Sequence, residues 1–483
     1  MQQLPGKKKM SKTDVCYLVS HGFSARMVFQ TGLLAKVGAS GKKTAVIAPD
    51  SQDTNLIRFC EDQEVSLSEF RPPRNIFTVD YLFKRKYFLE DIRNNPGLWA
   101  KHLHSVKGPK SRNPYYWFAP YYYFLLYKLI RWFPGIRKRF IEAENRLLDS
   151  PEAVETIRKI DPKLVVATYP VNLEEAMLLR AAQKLKIPTA IHLLSWDNIT
   201  CKGHFPATAD YYIAWGPIMK EEFQEYYQVE EDRIFVCGVP HFDAHYGVGQ
   251  NPEVASHLEK LKLDPKKPYL FVAMSSPYFC PKGIDIVEWL AEKVSSGHYG
   301  PDMQLIVRPH PQNVQGGMAD FSWLPRLEGI KGPRVSVDYP SLVESNLPWS
   351  MQEHDMLRLS NLLAGCSVCI NFGSTVSIDA LMVGRPVIVS AFDGHDYLPW
   401  FKSGRRQMDY VHYAKLIETG GIQVSWNFDE FDQQIQRYID QPDADLELRN
   451  FAIERECGGN DGRATERVAQ SLNKILEREA SKN

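Results

Sequence analysis

The chain has 483 residues, 44% hydrophobic and 24% charged, with 58 Lys and Arg against 58 Asp and Glu. Those are globular values with room for two or three domains, and a net charge of zero removes any global argument for nucleic acid. Residues 1–14 are basic but lead into no apolar signal core, and no window holds the ~20 uncharged apolar residues of a membrane span. The expectation is a cytoplasmic protein, free or peripheral on the inner face of a membrane.

Short apolar runs alternate with amphipathic stretches along the chain. Strands are expected at 15–19, 44–48, 164–167, 189–194, 211–215 and 234–237, and helices at 25–37, 55–62, 173–185 and 218–226. A Gly/Pro/charged break near 240–265 reads as a linker. Beyond it, strands are expected at 269–273, 304–307, 367–372, 387–390 and 422–425, and helices at 284–294, 356–363, 376–382 and 410–418. Strands this apolar, separated by helices, belong to parallel sheets covered on both faces. The expected class is α/β, two doubly wound Rossmann-like domains facing a cleft. The first would span 1–245, with an insertion at 70–150, and the second 246–460. An amphipathic helix within 461–483 would pack back across the pair. The eight cysteines are scattered and mostly sit in apolar runs, as reduced thiols do. Cys366 and Cys369 form a C-x-x-C with no second pair, so they read as buried thiols rather than a zinc or redox site.

The insertion breaks the pattern. Between 71 and 140 stand fifteen Lys and Arg against three acids, a surplus of twelve in a neutral protein. Aromatics interleave with the bases in "NPYYWFAPYYYFLLYKLIRWFPGIRKRF", where Pro120 and Pro134 are expected to bracket a helix too short to span a bilayer. Two readings weigh about equally, docking on anionic lipid and a helical hairpin packed on the core with solvated charges; a third, nucleic acid, is disfavoured by a neutral chain with no known binding module.

In a doubly wound sheet, ligands bind beyond the carboxyl ends of the strands. After the strand ending at Phe372, Gly373, Ser374 and Thr375 open a helix; small polar residues there suit an anion held by backbone N–H groups and the helix dipole, or an ordinary cap. "QLIVRPHPQN" ends another strand with Arg308 and His310, stiffened by two prolines and suited to phosphate oxygens. Ser275, Ser276 and Lys282 follow a third strand. In the first half, His21, Gly22, Ser24 and Arg26 follow the first strand. Trp196, Asp197 and Asn198 follow another. Asp197 is the candidate general base and His21 its rival; an Asx turn or cap is the plainer role for Asp197. There is no G-x-x-x-x-G-K-[ST] and no G-x-S-x-G, and no metal site or cofactor is expected.

The order of these motifs resembles the two-domain nucleotide-sugar enzymes of the GT-B type. The nearest subset is the UDP-N-acetylglucosamine 2-epimerase-like superfamily, with its capsule Kdo-transferase and CDP-glycerol glycerophosphotransferase relatives. The matching pieces are "HGFSARMVFQTGLL", "VCGVPHFDA", "VRPHPQN", "NFGSTVSIDALMVGRPVIV" and "DGRATERV". The resemblance implies that Ser374 and Thr375 hold a donor diphosphate, that Asp379 contacts sugar or ribose, and that His310 lines the donor site. The epimerases' Ser-Gly-Gly-x-x-Glu-Glu element is here Gly-Ser-Thr-Val-Ser-Ile-Asp, and their His-Arg-Arg-Glu-Asn-like stretch is missing, so transfer is expected rather than epimerisation. The implied reaction moves a sugar from a nucleotide-activated donor to a lipid-linked or polymeric glycan acceptor. A CDP-glycerol-type transferase and a non-catalytic sugar- or nucleotide-binding scaffold are the alternatives.

Overall fold

A computed structural model of the chain describes residues 13–72, 85, 93–108, 114–248, 253–314, 320–347 and 350–482. Two parallel sheets carry the fold. The first is built from β1 (Thr13–Leu18), β2 (Thr44–Ala48), β3 (Ser66–Glu69), β4 (Pro162–Ala167), β5 (Thr189–His192), β6 (Tyr211–Ala214) and β7 (Ile234–Val236), in the order β3-β2-β1-β4-β5-β6-β7. The second is built from β8 (Tyr269–Ala273), β9 (Gln304–Arg308), β10 (Val335–Val337), β11 (Val368–Asn371), β12 (Val387–Ser390) and β13 (Gln423–Ser425), in the order β10-β9-β8-β11-β12-β13. Register is fixed by apolar pairs: Tyr17 faces Val46 on one side and Val166 on the other, and Ile370 lies between Val272 and Ile388. The central strands are buried on both faces, which is why their sequences read as unbroken apolar runs. The α/β class and the doubly wound pair match the sequence expectation.

The expected helix at 25–37 is interrupted. A turn of α-helix, Gly22–Ala25, widens into a π-helical turn, Arg26–Gln30. Thr31 Oγ1 donates to the Met27 carbonyl at 2.6 Å, and Gly32, at φ +71°, ends the segment before the helix Leu33–Ala39 starts. π turns of this kind recur at functional sites, and this one carries Arg26 at the domain boundary. The insertion also departs from expectation. Its helix Tyr115–Trp132 starts five residues before Pro120 and runs through it. Pro120 falls early in the helix, where its missing N–H removes one rung near an end that already lacks several. Of the basic surplus, Arg74, Lys84, Lys86, Lys110 and Arg112 lie outside the described residues. Arg85 is buried against the domain: it donates to the His204 and Phe205 carbonyls and pairs with Glu144 at 2.7 Å.

Two terminal helices cross to the first domain. Ala464–Ala480 lays Val468, Leu472 and Ile475 into the same core as Val15, Tyr17 and Val37. Leu446–Cys457 passes so close to the first domain that a Cβ on Gly216 would meet the Glu456 carbonyl at 2.3 Å. This seam buries two carboxylates, Glu222 from the helix Pro217–Tyr227 and Glu456, with one ammonium, Lys415, placed 3.1 Å from Glu222. Glu456 Oε1 has no partner among the described residues. Burial, with Glu222 close by, pushes the Glu456 carboxyl up to about 8, and burial pushes Glu222 up to about 7 against the pull of Lys415. The native chain therefore binds protons that the unfolded chain has released, so this seam loses stability as pH rises from about 4.5 through 8. Glu456→Gln should raise the melting temperature at pH 8, by the equivalent of about 2 kcal/mol, and bring no gain at pH 4.5. Equal shifts at both pH values would overturn this account.

Candidate functional site

The carboxyl ends of the two sheets face each other across two adjoining cavities of about 220 and 420 Å3. Both are lined by Phe23, Leu194, Ser195, His310, Ser374 and Thr375, so they form one cleft between the domains. Arg26, Arg308 and Asp379 lie in the smaller lobe. His21, Trp196, Asp197, Asn198, Ser275, Ser276 and Gly373 lie in the larger. Each arrives because an apolar strand ends and a short loop turns the chain into the next helix at the cleft.

Three of these residues present buried polar atoms with no hydrogen-bond partner among the described residues: Arg26 Nε, both amide atoms of Asn198, and Ser374 Oγ. Buried polar groups are normally paired, and here three unpaired ones belong to cleft-lining residues of both domains, Arg26 in the smaller lobe, Asn198 in the larger and Ser374 in both. Arg26 lies against Met356, its Nη1 3.8 Å from the sulfur, with its guanidinium carbon 5.1 Å from the Phe23 ring centroid. Burial lowers its pKa while Asp379 and Asp355 oppose that shift. Nearby, Asp379 is fixed from the first domain by His245, whose Nε2 lies 2.8 Å from Oδ1; Ser360 Oγ contacts the other ring nitrogen at 2.7 Å.

Several expectations are corrected by these contacts. Arg308 does not offer its guanidinium to the cleft: it is buried and bonded to Asp338 and to both oxygens of Asp355, at 2.7 and 2.8 Å. Arg358 also reaches Asp338. Lys282 lines neither lobe and is held 2.5 Å from Asp396. Ser24 is fully buried and turned to the sheet, accepting from Thr168 Oγ1 at 2.8 Å. Gly22 lines a separate cavity beside the helix Thr54–Asp62. The Gly373 and Ser374 N–H groups donate to Asn371 Oδ1 at 3.0 and 3.2 Å, so Asn371, and not a ligand, satisfies that turn. Gly373 itself is required: at φ +82° a Cβ would stand 3.1 Å from Met408.

The two candidate bases behave differently from a free carboxylate and a free imidazole. Burial works to raise the Asp197 carboxyl, but Lys202, 2.9 Å away, and a hydrogen bond from Ser195 hold it well below the usual range. Asp197 is thus ionised at neutral pH. His21 caps its own helix, Nδ1 accepting from the Phe23 N–H at 3.3 Å, and burial brings it down to about 4. A neutral ring with Nδ1 accepting carries its proton on Nε2, which makes His21 a donor to the cleft rather than a base. His310 is also neutral, lowered by burial to about 4. Trp196 packs edge-on against His412 and Tyr413, with centroids 4.7 and 5.6 Å apart, and Ser275 and Ser276 are buried at the rim. Sequence reasoning missed Lys101, Gln407, Tyr410 and His412, which also line the larger lobe. Lys101 comes from the insertion helix Pro96–Lys107 and donates to the Cys201 carbonyl at 2.5 Å. No run of small or polar residues marks it in the sequence. Among the described residues no group of three or more His, Cys, Asp or Glu is placed to hold a metal.

No family model matches the sequence, and no curated protein does. Solved structures do match. A UDP-GlcNAc 2-epimerase from Neisseria meningitidis, bound to UDP-GlcNAc, aligns at a TM-score of 0.56 and 10% identity over 96% of this chain and 100% of that one. MnaA of S. aureus, in complex with UDP, aligns at 0.54 and 11%, over 96% and 97%. The UDP-GlcNAc 2-epimerase of Methanocaldococcus jannaschii aligns at 0.51 and 12%, over 96% and 99%. The chain therefore has the two-domain GT-B fold of the UDP-GlcNAc 2-epimerase type over nearly its full length.

Proposed function

We propose that the protein is a glycosyltransferase that takes a sugar from a nucleotide-activated donor held in this cleft. The observation that carries the reading is that Arg26 Nε, the Asn198 amide and Ser374 Oγ, all buried and unpaired among the described residues, belong to residues lining the two lobes of one cleft between two domains. A ligand rich in hydrogen-bonding oxygens satisfies them, and a guanidinium among them favours an anionic one. Two of the matching folds are recorded with UDP or UDP-GlcNAc, which supports a nucleotide sugar as that ligand. Ser374, Thr375, Ser275, Ser276 and His310 would line the donor from the second domain, and Asp379 its sugar or ribose. Arg26 would reach across from the first domain to the departing phosphate, in place of Arg308, which the sequence suggested as the phosphate contact.

In this reading the acceptor hydroxyl enters on the first-domain side, against His21, Trp196 and Asn198. Its proton passes to Asp197 as the new bond forms, at a cost that the Lys202 ion pair raises, because that pair lowers the carboxylate's basicity. The absence of the epimerases' paired Glu element favours transfer over epimerisation. The acceptor is proposed to be a lipid-linked or polymeric glycan of the cell envelope, entering beside Lys101 and the insertion.

The test is a thermal-shift panel of UDP, CDP, CMP, GDP and dTDP on the full chain, without metal and then with magnesium. A ligand at a hundred times its Kd adds about 2.7 kcal/mol to native stability, so one nucleotide should raise the melting temperature by several degrees. A shift with CDP alone would turn the donor from a sugar to a polyol phosphate. No shift with any nucleotide would overturn the proposal, and binding without transfer would leave a scaffold.

A further inference from the structure

The insertion carries a surface that the fold does not explain. The helix Tyr115–Trp132 buries Ala119, Tyr123, Tyr127 and Ile130 on its inner face, with Leu98 of the neighbouring helix. Its outer face is apolar as well. Phe118, Tyr121, Leu125 and Trp132 are spaced by three, four and seven residues, which puts them on one stripe of the helix, and all four are exposed, Phe118 at 70% and Trp132 at 69%. Phe133 and Ile136 extend the stripe around the turn into the helix Pro134–Leu148. Soluble helices keep one polar face, and a contiguous exposed patch of large apolar groups marks an interaction surface.

Charge decides what that surface meets. Residues 115–141 contain five Lys and Arg and no Asp or Glu. Arg131, Arg137, Lys138 and Arg139 are exposed along the same hairpin. Tyr and Trp with Phe and Leu, rimmed by bases, is the composition that seats at the headgroup level of an anionic bilayer. A second copy of the chain is disfavoured as the occupant, because it would set five like charges against five. No helix among the described residues is long and apolar enough to cross a membrane. We infer that the hairpin 115–141 lies in the interface of an anionic bilayer, holding the insertion side of the cleft against the membrane. This rests on the patch and its charge, and holds whatever ligand the cleft takes.

The experiment is vesicle sedimentation of the full chain with pure phosphatidylcholine and with a phosphatidylcholine–phosphatidylglycerol mixture, at low and at molar salt. The chain should pellet with the anionic vesicles at low salt and stay in solution with the neutral ones. Each base near an anionic surface contributes about five-fold to partitioning. Arg137→Glu/Lys138→Glu/Arg139→Glu should therefore cut binding by about 100-fold or more. Phe118→Ser/Leu125→Ser/Trp132→Ser should abolish it while leaving the melting temperature unchanged, since all three side chains are exposed. Failure to pellet with anionic vesicles would overturn the inference, as would equal binding to both vesicle types. So would unchanged binding by either variant, or a concentration-dependent dimer that the serine variant dissolves.

Discussion

The Arg308→Ala chain should be a poorly folded protein, with a loss of about 3–5 kcal/mol in native stability, rather than a folded protein that binds donor weakly. The strand-end sequence Arg-Pro-His-Pro points to a phosphate ligand, but the structure spends that guanidinium on Asp338 and Asp355, both almost fully buried. Among the described residues, Asp355 keeps only the Ser341 N–H as a hydrogen-bond partner, at 3.0 Å, once Arg308 is removed. Asp338 keeps Arg358. Leaving one carboxylate charge uncompensated in the interior is far more costly than losing an exposed pair. Arg308→Lys retains the charge but not the fork that reaches two acids, and should fall between. The measurement is the melting temperature of each variant beside its nucleotide affinity. A normally melting Arg308→Ala chain with lost nucleotide affinity would return Arg308 to the donor site.

Arg26→Gln should do the opposite: melt close to the wild type and lose transfer by about 10²–10³-fold, the scale seen when one preorganised donor to a developing charge is removed. No carboxylate is within hydrogen-bonding distance of Arg26 among the described residues, and Asp379 and Asp355 act on its charge only from beyond that distance, so its removal costs less than that of the directly paired Arg308. Its Nε is buried and has no hydrogen-bond partner among the described residues. Glutamine retains much of the packing on Phe23 and Met356 while removing the cation. If Arg26 acts on the departing phosphate, kcat should fall more than KM rises. Unchanged turnover, or a collapse in melting temperature, would remove Arg26 from the chemistry.

The strands were legible because both faces of each central strand are buried, which writes an apolar run into the sequence. The edges were not. Ser66–Glu69 and Val335–Val337 pair on one side only and are too short, and β3 too polar, to show a pattern. The turns at the cleft were legible as small polar residues after apolar runs, which located Ser374, Asn198 and His310. Which polar groups are free was not legible, because that is decided by partners distant in the chain. Asp338 and Asp355 stand 30 and 47 positions from Arg308, and His245 stands 134 from Asp379. Ser24 and Arg26 show the same limit at short range: two residues apart, one faces the sheet and the other the cleft.

The crossing of the helix Ala464–Ala480 onto Val15, Tyr17 and Val37 also orders events in time. Synthesis runs from the first residue onward, so one flank of the first sheet stays uncovered until the entire second domain has left the ribosome. At typical elongation rates that is a delay of tens of seconds. The nascent first half would hold an open apolar flank throughout, making it the stage at which chaperones are needed most.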